Sequence, residues 1–153
     1  MKRKIILLIL LSCGAVFAWF INGREKIDES LILQEIPVNS PEQQRELTSL
    51  AEKVLELHRT RGERAIKRIF AYDDRELMMI QAETGTNPFR ESIDLLNLHR
   101  NSGHLCDPRP MTFAGNRSSR RFVDARLGEE GTRVRFEFIK LKNAYRFGGV
   151  RTI

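Results

Sequence analysis

Apolar and charged residues alternate near the C-terminal end of the chain, in residues 132–142. Because successive side chains of a strand point to opposite faces of a sheet, this pattern predicts a strand with one face against a core and the other in solvent. A second strand-like run follows at residues 144–153 after a single asparagine, so the two runs are predicted to pair as a hairpin. The predicted core set is Val134, Phe136 and Phe138, and the predicted solvent-facing set is Arg133, Arg135 and Glu137.

The segment before this hairpin has apolar residues three or four positions apart, which is the spacing of helices. It begins at Ser40-Pro41-Glu42-Gln43, where serine caps, proline suits the first turn and glutamine completes a capping box. Helices are predicted at residues 41–59, 63–70, 75–81 and 88–100, and a strand is the alternative for the third.

Strands are predicted to follow these helices. Residues 106–110 contain two prolines and are expected to form a rigid loop, since proline cannot donate to a ladder. Residues 111–114 and 121–127 are predicted strands ahead of the hairpin. Helices followed by three to four antiparallel strands predict an α+β domain at residues 40–153, in which the helices pack on a curved sheet.

A hydrophobic segment precedes this domain. Three basic residues at positions 2–4 are followed by 17 uncharged residues, 5–21, and then by an expected linker at residues 22–39. Three interpretations stay open: an uncleaved signal anchor, a cleaved signal peptide, and a lipoprotein lipidated at Cys13. The anchor is the favoured interpretation.

All three interpretations place residues 22 onward outside the cytoplasm. The expected location is the inner membrane, contacted through residues 5–21, with the C-terminal domain in the periplasm or outside the cell. An exported soluble protein or a lipoprotein is the alternative.

Positive charge is concentrated in the predicted strands. The chain has a formal net charge of +6; residues 22–106 hold 12 Lys or Arg against 15 Asp or Glu, whereas residues 107–153 hold 11 against 5. Alternation aligns several arginines on one strand face, which attracts an anionic partner. Cross-strand pairing with Asp124 and Glu137 is the competing interpretation, and no specific nucleic-acid motif is present. The candidate anion patch is Arg120, Arg126, Arg133, Arg135 and Arg146.

Four segments carry a resemblance to a known fold family. They are the long helix at 41–59, the short helix after Arg61-Gly62, the run 89–96 leading into 103–105, and the ending 145–150. Their order and spacing resemble the nuclear transport factor 2-like group of cystatin-like folds, which bacteria often export behind a signal or anchor. The resemblance implies a curved sheet wrapped on helices.

The functions of this family are diverse, and they include enzymes, ligand carriers, dimerisation modules and secretion-assembly scaffolds. Fold resemblance alone therefore does not fix the function. The family's enzymes place an Asp, His or Tyr between helices and sheet. Asp124 and Tyr145 lie on the corresponding strands by order, but no motif marks either as catalytic.

Two groups of residues are candidates for binding chemistry. Four aromatic residues of the last strands line a ligand pocket in one interpretation and pack as plain core in the other. A cluster of histidine, cysteine and aspartate in residues 99–107 matches no common zinc spacing, so no metal and no cofactor is predicted. The lone cysteine of this cluster is expected to be buried. The pocket candidates are Phe136, Phe138, Tyr145 and Phe147, and the cluster is His99, His104, Cys106 and Asp107.

The function indicated by these patterns is a membrane-anchored extracytoplasmic interaction or assembly-accessory domain without an evident catalytic set. Its partner is expected to be another protein or a second copy of the chain, and an anionic partner fits the arginine stripe. The alternative is a small-ligand-binding domain that uses the pocket between helices and sheet. A pocket enzyme of the dehydratase or isomerase type is the less favoured third hypothesis.

Overall fold

The computed structural model describes residues 34–101, 105–114, 119–128, 131–142 and 144–153. These residues belong to one unit, Gln34–Ile153. The hydrophobic segment at 5–21, Cys13 and His104 lie outside the described residues. Among the helices of the described part of the chain, none has both the length and the apolar content needed to cross a bilayer.

The architecture is α+β, as predicted, with four helices packed on a five-stranded antiparallel sheet. The sheet order is β1-β2-β3-β4-β5, so neighbouring strands along the chain are neighbours in the sheet. The helices are α1 (Pro41–Arg61), α2 (Glu63–Ile69), α3 (Asp74–Thr84) and α4 (Pro88–Leu98). The strands are β1 (Glu35–Pro37), β2 (Cys106–Phe113), β3 (Arg120–Leu127), β4 (Thr132–Leu141) and β5 (Ala144–Thr152).

Local capping explains where the helices begin. The Ser40 hydroxyl accepts a hydrogen bond from the Gln43 amide, as the sequence predicted for α1. Asp73 and Glu76 form a reciprocal capping box at α3, with both hydrogen bonds at 2.8 Å. Because this box satisfies two otherwise unpaired amides, it selects the helix over the strand that was the alternative for this segment.

The core lies between the helices and one face of the sheet. Val134, Phe136 and Phe138 are all buried there, which confirms the predicted facing of β4. Helix α1 contributes one stripe and α4 another, at the spacing of one helix face. The buried residues of these two stripes are Leu47, Ala51, Val54, Leu55 and His58 from α1 and Phe89, Ser92, Ile93 and Leu96 from α4.

The sheet has more strands than the three to four expected. Residues 106–110, predicted as a loop, begin strand β2; a register shift between Cys106 and Arg109 accommodates Pro108, while Pro110 pairs with Val123 in the regular register. Asp107 adopts a positive φ of 52° at this irregularity. The first strand, Glu35–Pro37, comes from the end of the expected linker and pairs with β2.

Cys106 is exposed, so the expectation that it is buried is wrong. It is the first residue of β2 and lies next to the register shift. The register pairs Cys106 with Arg126, so its side chain lies on the sheet face that carries the exposed arginines and not on the face that the helices cover.

His58 is the one histidine of the α1 core stripe, and only 3% of it is exposed. Burial, with the nearby positive charge of Arg100, lowers the pKa of His58, and a hydrogen bond with Asn97 and the charge of Glu63 oppose this effect. The folded protein therefore holds His58 neutral at a pH where the unfolded chain takes up a proton.

We expect acid to destabilise the fold through His58. Because its pKa is lower in the folded state than in the unfolded state, the free energy of unfolding should fall as the pH drops from about 7 to about 5. In His58→Gln, which keeps hydrogen-bonding capacity, that fall should be smaller. Urea titrations of both proteins at several pH values measure it, and equal slopes would contradict the assignment.

Candidate functional site

The aromatic residues named as pocket candidates pack in the core or against it, which is the second of their two interpretations. Phe136, Phe138 and Phe147 are each at most 2% exposed. Phe147 meets Phe70 of the α2 end edge-on, with 5.6 Å between ring centroids. Tyr145 is partly buried, and its hydroxyl accepts a hydrogen bond from Gln43 at 3.4 Å. These side chains fill the space between helices and sheet, and none of them lines the cleft described below.

The opposite face of the sheet carries the arginines of the candidate anion patch. The register pairs Arg126 with Arg133, and it pairs Asp124 with Arg135. On the far side of β4, Arg135 is paired with Arg151 of β5. Since strand side chains alternate, residues directly opposite one another share a face. The predicted alignment of arginines on one face is therefore present in the strand register.

Arg135 nevertheless does not face solvent, and that prediction is wrong. Its guanidinium donates to both carboxylate oxygens of Asp124, at 2.6 and 2.8 Å, and it also pairs with Glu35. It lies over the ring of Phe122, 5.2 Å from the centroid, and only 12% of its side chain is exposed. The Asp124 hydrogen bonds are the main cause that raises the pKa of Arg135. Cross-strand ion pairing thus prevails at this position.

Glu137 is the second residue of the predicted solvent-facing set whose side chain is largely covered in the structure. Its side chain is 20% exposed, and its Oε1 lies 3.2 Å from Arg120 Nε. That atom is buried and accepts no hydrogen bond from any described residue, so the contact is an ion pair by distance alone. Arg120 also lies 3.5 Å from the Tyr72 hydroxyl. Burial is the main cause that raises the pKa of Tyr72.

The remaining arginines of the patch differ in their partners. Arg146 donates to the backbone carbonyl of Arg68 in α2, at 3.2 Å. Arg126 and Arg133 are exposed, as predicted for Arg133, and form no ion pair within the part of the chain that the structure describes. The patch therefore separates into three arginines held by partners inside the protein, namely Arg120 and Arg135 by carboxylates and Arg146 by a backbone carbonyl, and one exposed pair, Arg126 and Arg133, which we term the arginine pair.

A cleft of about 350 Å³ lies beside strand β5, where α3 and α4 approach the edge of the sheet. Strand β5 has two glycines here, and a register shift leaves Gly148 without a partner on β4. Helix α4 is fixed to the strand edge by Ser92, whose hydroxyl donates to Pro88 O at 2.6 Å and accepts from the Val150 amide at 2.9 Å. A Cβ on Gly149, whose φ is +141°, would lie 3.0 Å from the Ser92 hydroxyl.

The lining of the cleft is mixed in character. It includes the hydroxyl-bearing residues Tyr72, Thr84, Thr86 and Ser92, and the apolar residues Ile80, Pro88 and Val150. Its charged lining residues are Glu91, Arg120, Arg135, Glu137 and Arg151. Such a mixture of a few polar groups with apolar surface is typical of small-molecule sites.

No group of three or more His, Cys, Asp or Glu able to hold a metal ion occurs among the described residues. Comparison of the chain with protein-family models, with curated proteins and with solved structures finds no match. The resemblance to the nuclear transport factor 2-like group therefore stays a prediction.

Four residues that contribute to this site were not predicted from the sequence. Ser92 occupies an inward position of α4, three residues after Phe89, and a polar residue on an apolar helix face is a signal that was present. Gly148 and Gly149 are a second signal, because paired glycines in a strand indicate a bulge or a close approach. Glu35 gave no signal, since its partner lies 100 residues away.

We expect Arg135→Ala to lower the free energy of unfolding by about 2–3 kcal/mol, because it leaves the Asp124 carboxylate without its partner. The matched variant Arg133→Ala removes an exposed arginine from the same strand face and should change stability by no more than about 0.5 kcal/mol. Urea titration of the full-length variants measures both changes. A small effect at Arg135, or equal effects at both positions, would contradict this account.

Proposed function

We propose that the chain is a membrane-anchored extracytoplasmic interaction domain whose arginine pair binds an acidic segment of a partner protein. The observation that carries this proposal is the direct opposition of Arg126 and Arg133 on neighbouring strands, exposed and without an ion pair among the described residues. Like charges directly opposite in a sheet destabilise it, and an anionic partner relieves the repulsion. A binding surface of this kind needs no internal pocket.

The charge distribution of the chain supports the same choice of partner. Residues 107–153 carry 11 Lys or Arg against 5 Asp or Glu, while residues 22–106 have more acidic than basic residues. Because an exposed cluster of one sign steers an oppositely charged partner towards it, the sheet face is the preferred side for docking.

The alternative function, a small-ligand domain with a pocket between helices and sheet, has weaker support. The aromatic residues that would line such a pocket make mutual ring contacts at 6.1 and 6.4 Å within the core. A ligand there would have to displace packed side chains, each worth roughly 2 kcal/mol of burial.

We expect residues 1–21 to hold the chain in the membrane fraction, because three positive charges precede 17 uncharged residues. Protease added from outside the inner membrane should digest residue 40 onward. Cys13→Ser should localise like the wild type if the segment is an anchor, and it should lose acyl labelling if Cys13 is lipidated. A full-length chain that is soluble in the cytoplasm would overturn the proposed location.

We expect the double variant Arg126→Gln, Arg133→Gln to bind a fluorescent decaglutamate peptide about tenfold more weakly than the wild type. Fluorescence anisotropy of full-length protein in neutral detergent micelles measures the dissociation constant, and added salt should weaken wild-type binding. The matched control is Arg45→Gln, Arg75→Gln, which removes two exposed arginines from the helices.

Two results would oppose this proposal. Equal losses in both double variants would mean that only net charge matters. Stronger binding to phosphatidylglycerol vesicles than to the peptide would assign the arginine pair to a membrane surface instead of a protein.

A further inference from the structure

The cleft beside β5 contains two opposite charges that the structure leaves uncompensated. Arg135 is neutralised by Asp124 and Glu35, and Glu137 lies at ion-pair distance from Arg120. Glu91 and Arg151 also line the cleft, yet neither forms an ion pair with the other or with any further residue in the described ranges. Both side chains are exposed.

The positions of these two residues are fixed by the elements that carry them. Glu91 precedes Ser92 in α4, and Arg151 follows Val150 in β5. The hydrogen bond between the Val150 amide and the Ser92 hydroxyl, at 2.9 Å, joins the two elements at the residues next to Glu91 and Arg151 in the chain. Glu91 lies in the first turn of α4, where the positive end of the helix dipole favours a negative charge.

We propose that this cleft binds a small zwitterion, a free α-amino acid or a dipeptide. The ammonium group of the ligand pairs with Glu91, and its carboxylate accepts a bidentate pair of hydrogen bonds from Arg151. Ile80 and Pro88 provide apolar surface for the ligand's side chain. The inference is independent of the arginine pair, because neither of its members lines the cleft.

Size and charge both limit the ligand class. A volume of about 350 Å³ lies at the lower end of the range for small-molecule sites, so an amino acid or a dipeptide fits and a dinucleotide does not. The three arginines of the cleft are outnumbered by four carboxylates, its own Glu91 and Glu137 together with Asp124 and Glu35. A simple anion therefore meets no net positive field, whereas a zwitterion satisfies one charge at each wall.

The test uses the full-length protein in neutral detergent micelles and isothermal titration calorimetry. The probes are L-leucine, glycyl-L-leucine, 4-methylpentanoate, which lacks the ammonium group, and 3-methylbutylamine, which lacks the carboxylate. We expect L-leucine or the dipeptide to bind, and the two single-charge analogues to bind at least about tenfold more weakly, because each loses one ion pair. Comparison of L-leucine with the dipeptide distinguishes a free amino acid from a peptide ligand.

Variants identify the residues that bind the probe. Glu91→Gln and Arg151→Gln should each weaken binding at least about tenfold, whereas the matched controls Glu52→Gln and Arg45→Gln, both exposed on α1, should leave it unchanged. The charge-swapped protein, Glu91→Arg with Arg151→Glu, should bind more tightly than either single charge reversal. Since both residues are exposed, thermal melts should show folded protein throughout.

Three outcomes would overturn the inference. The first is that neither L-leucine nor the dipeptide binds at about 10 mM, a concentration at which even a weak site is detected. The second is that 4-methylpentanoate binds as tightly as L-leucine, which would mean a plain anion site. The third is that the two Gln variants bind as tightly as the wild type. None of these outcomes alters the peptide test of the arginine pair, so the two proposals fail separately.

Discussion

The charged face of the sheet depends on the pairing of Arg135 with Asp124 and Glu35. Glu35 lies on β1 and Arg135 on β4, three strand spacings apart, which is about 14 Å in a flat sheet. Two long side chains bridge that distance over the ring of Phe122, whose edge-on contact with Phe113 is 5.2 Å between centroids. One guanidinium therefore ties the first strand to the middle of the sheet and covers an aromatic pair that would otherwise meet water.

This neutralisation also determines which charges remain for binding. A row of five arginines would repel itself and attract any anion without selectivity. Arg135 and Arg120 form ion pairs and Arg146 donates to a backbone carbonyl, so these three arginines are held by partners inside the protein. Uncompensated charge remains at the arginine pair on the open sheet face and at Glu91 and Arg151 of the cleft. The surface and the cleft are therefore proposed as separate sites for partners of different size.

What the sequence predicted well depends on local physics. The cap at Ser40 and the alternation in β4 involve residues within a few positions of one another, so they are visible without a structure. What it missed depends on distant contacts. The residues next to Arg135 in the chain predict that it faces solvent. The carboxylate of Glu35, which pairs with it, lies 100 residues away in the sequence and gives no local signal. The strand at 106–110 was missed because its two prolines argued against it, whereas a register shift accommodates Pro108 and Pro110 pairs regularly with Val123.

Protection of the sheet edge and formation of the cleft arise from the same contacts. An exposed edge strand presents unpaired amides and carbonyls and invites aggregation. Strand β5 avoids this because two of its backbone groups form hydrogen bonds outside the sheet. The Val150 amide donates to the Ser92 hydroxyl, and the Phe147 carbonyl accepts from the Ala71 amide at 2.8 Å. The helix can approach so closely only because Gly149 has no side chain, since a Cβ there would lie 3.0 Å from the Ser92 hydroxyl. Gly148 and Gly149, which have no side chains, also leave the space of the cleft. The contact that protects the edge of the sheet is therefore also a wall of the proposed ligand site.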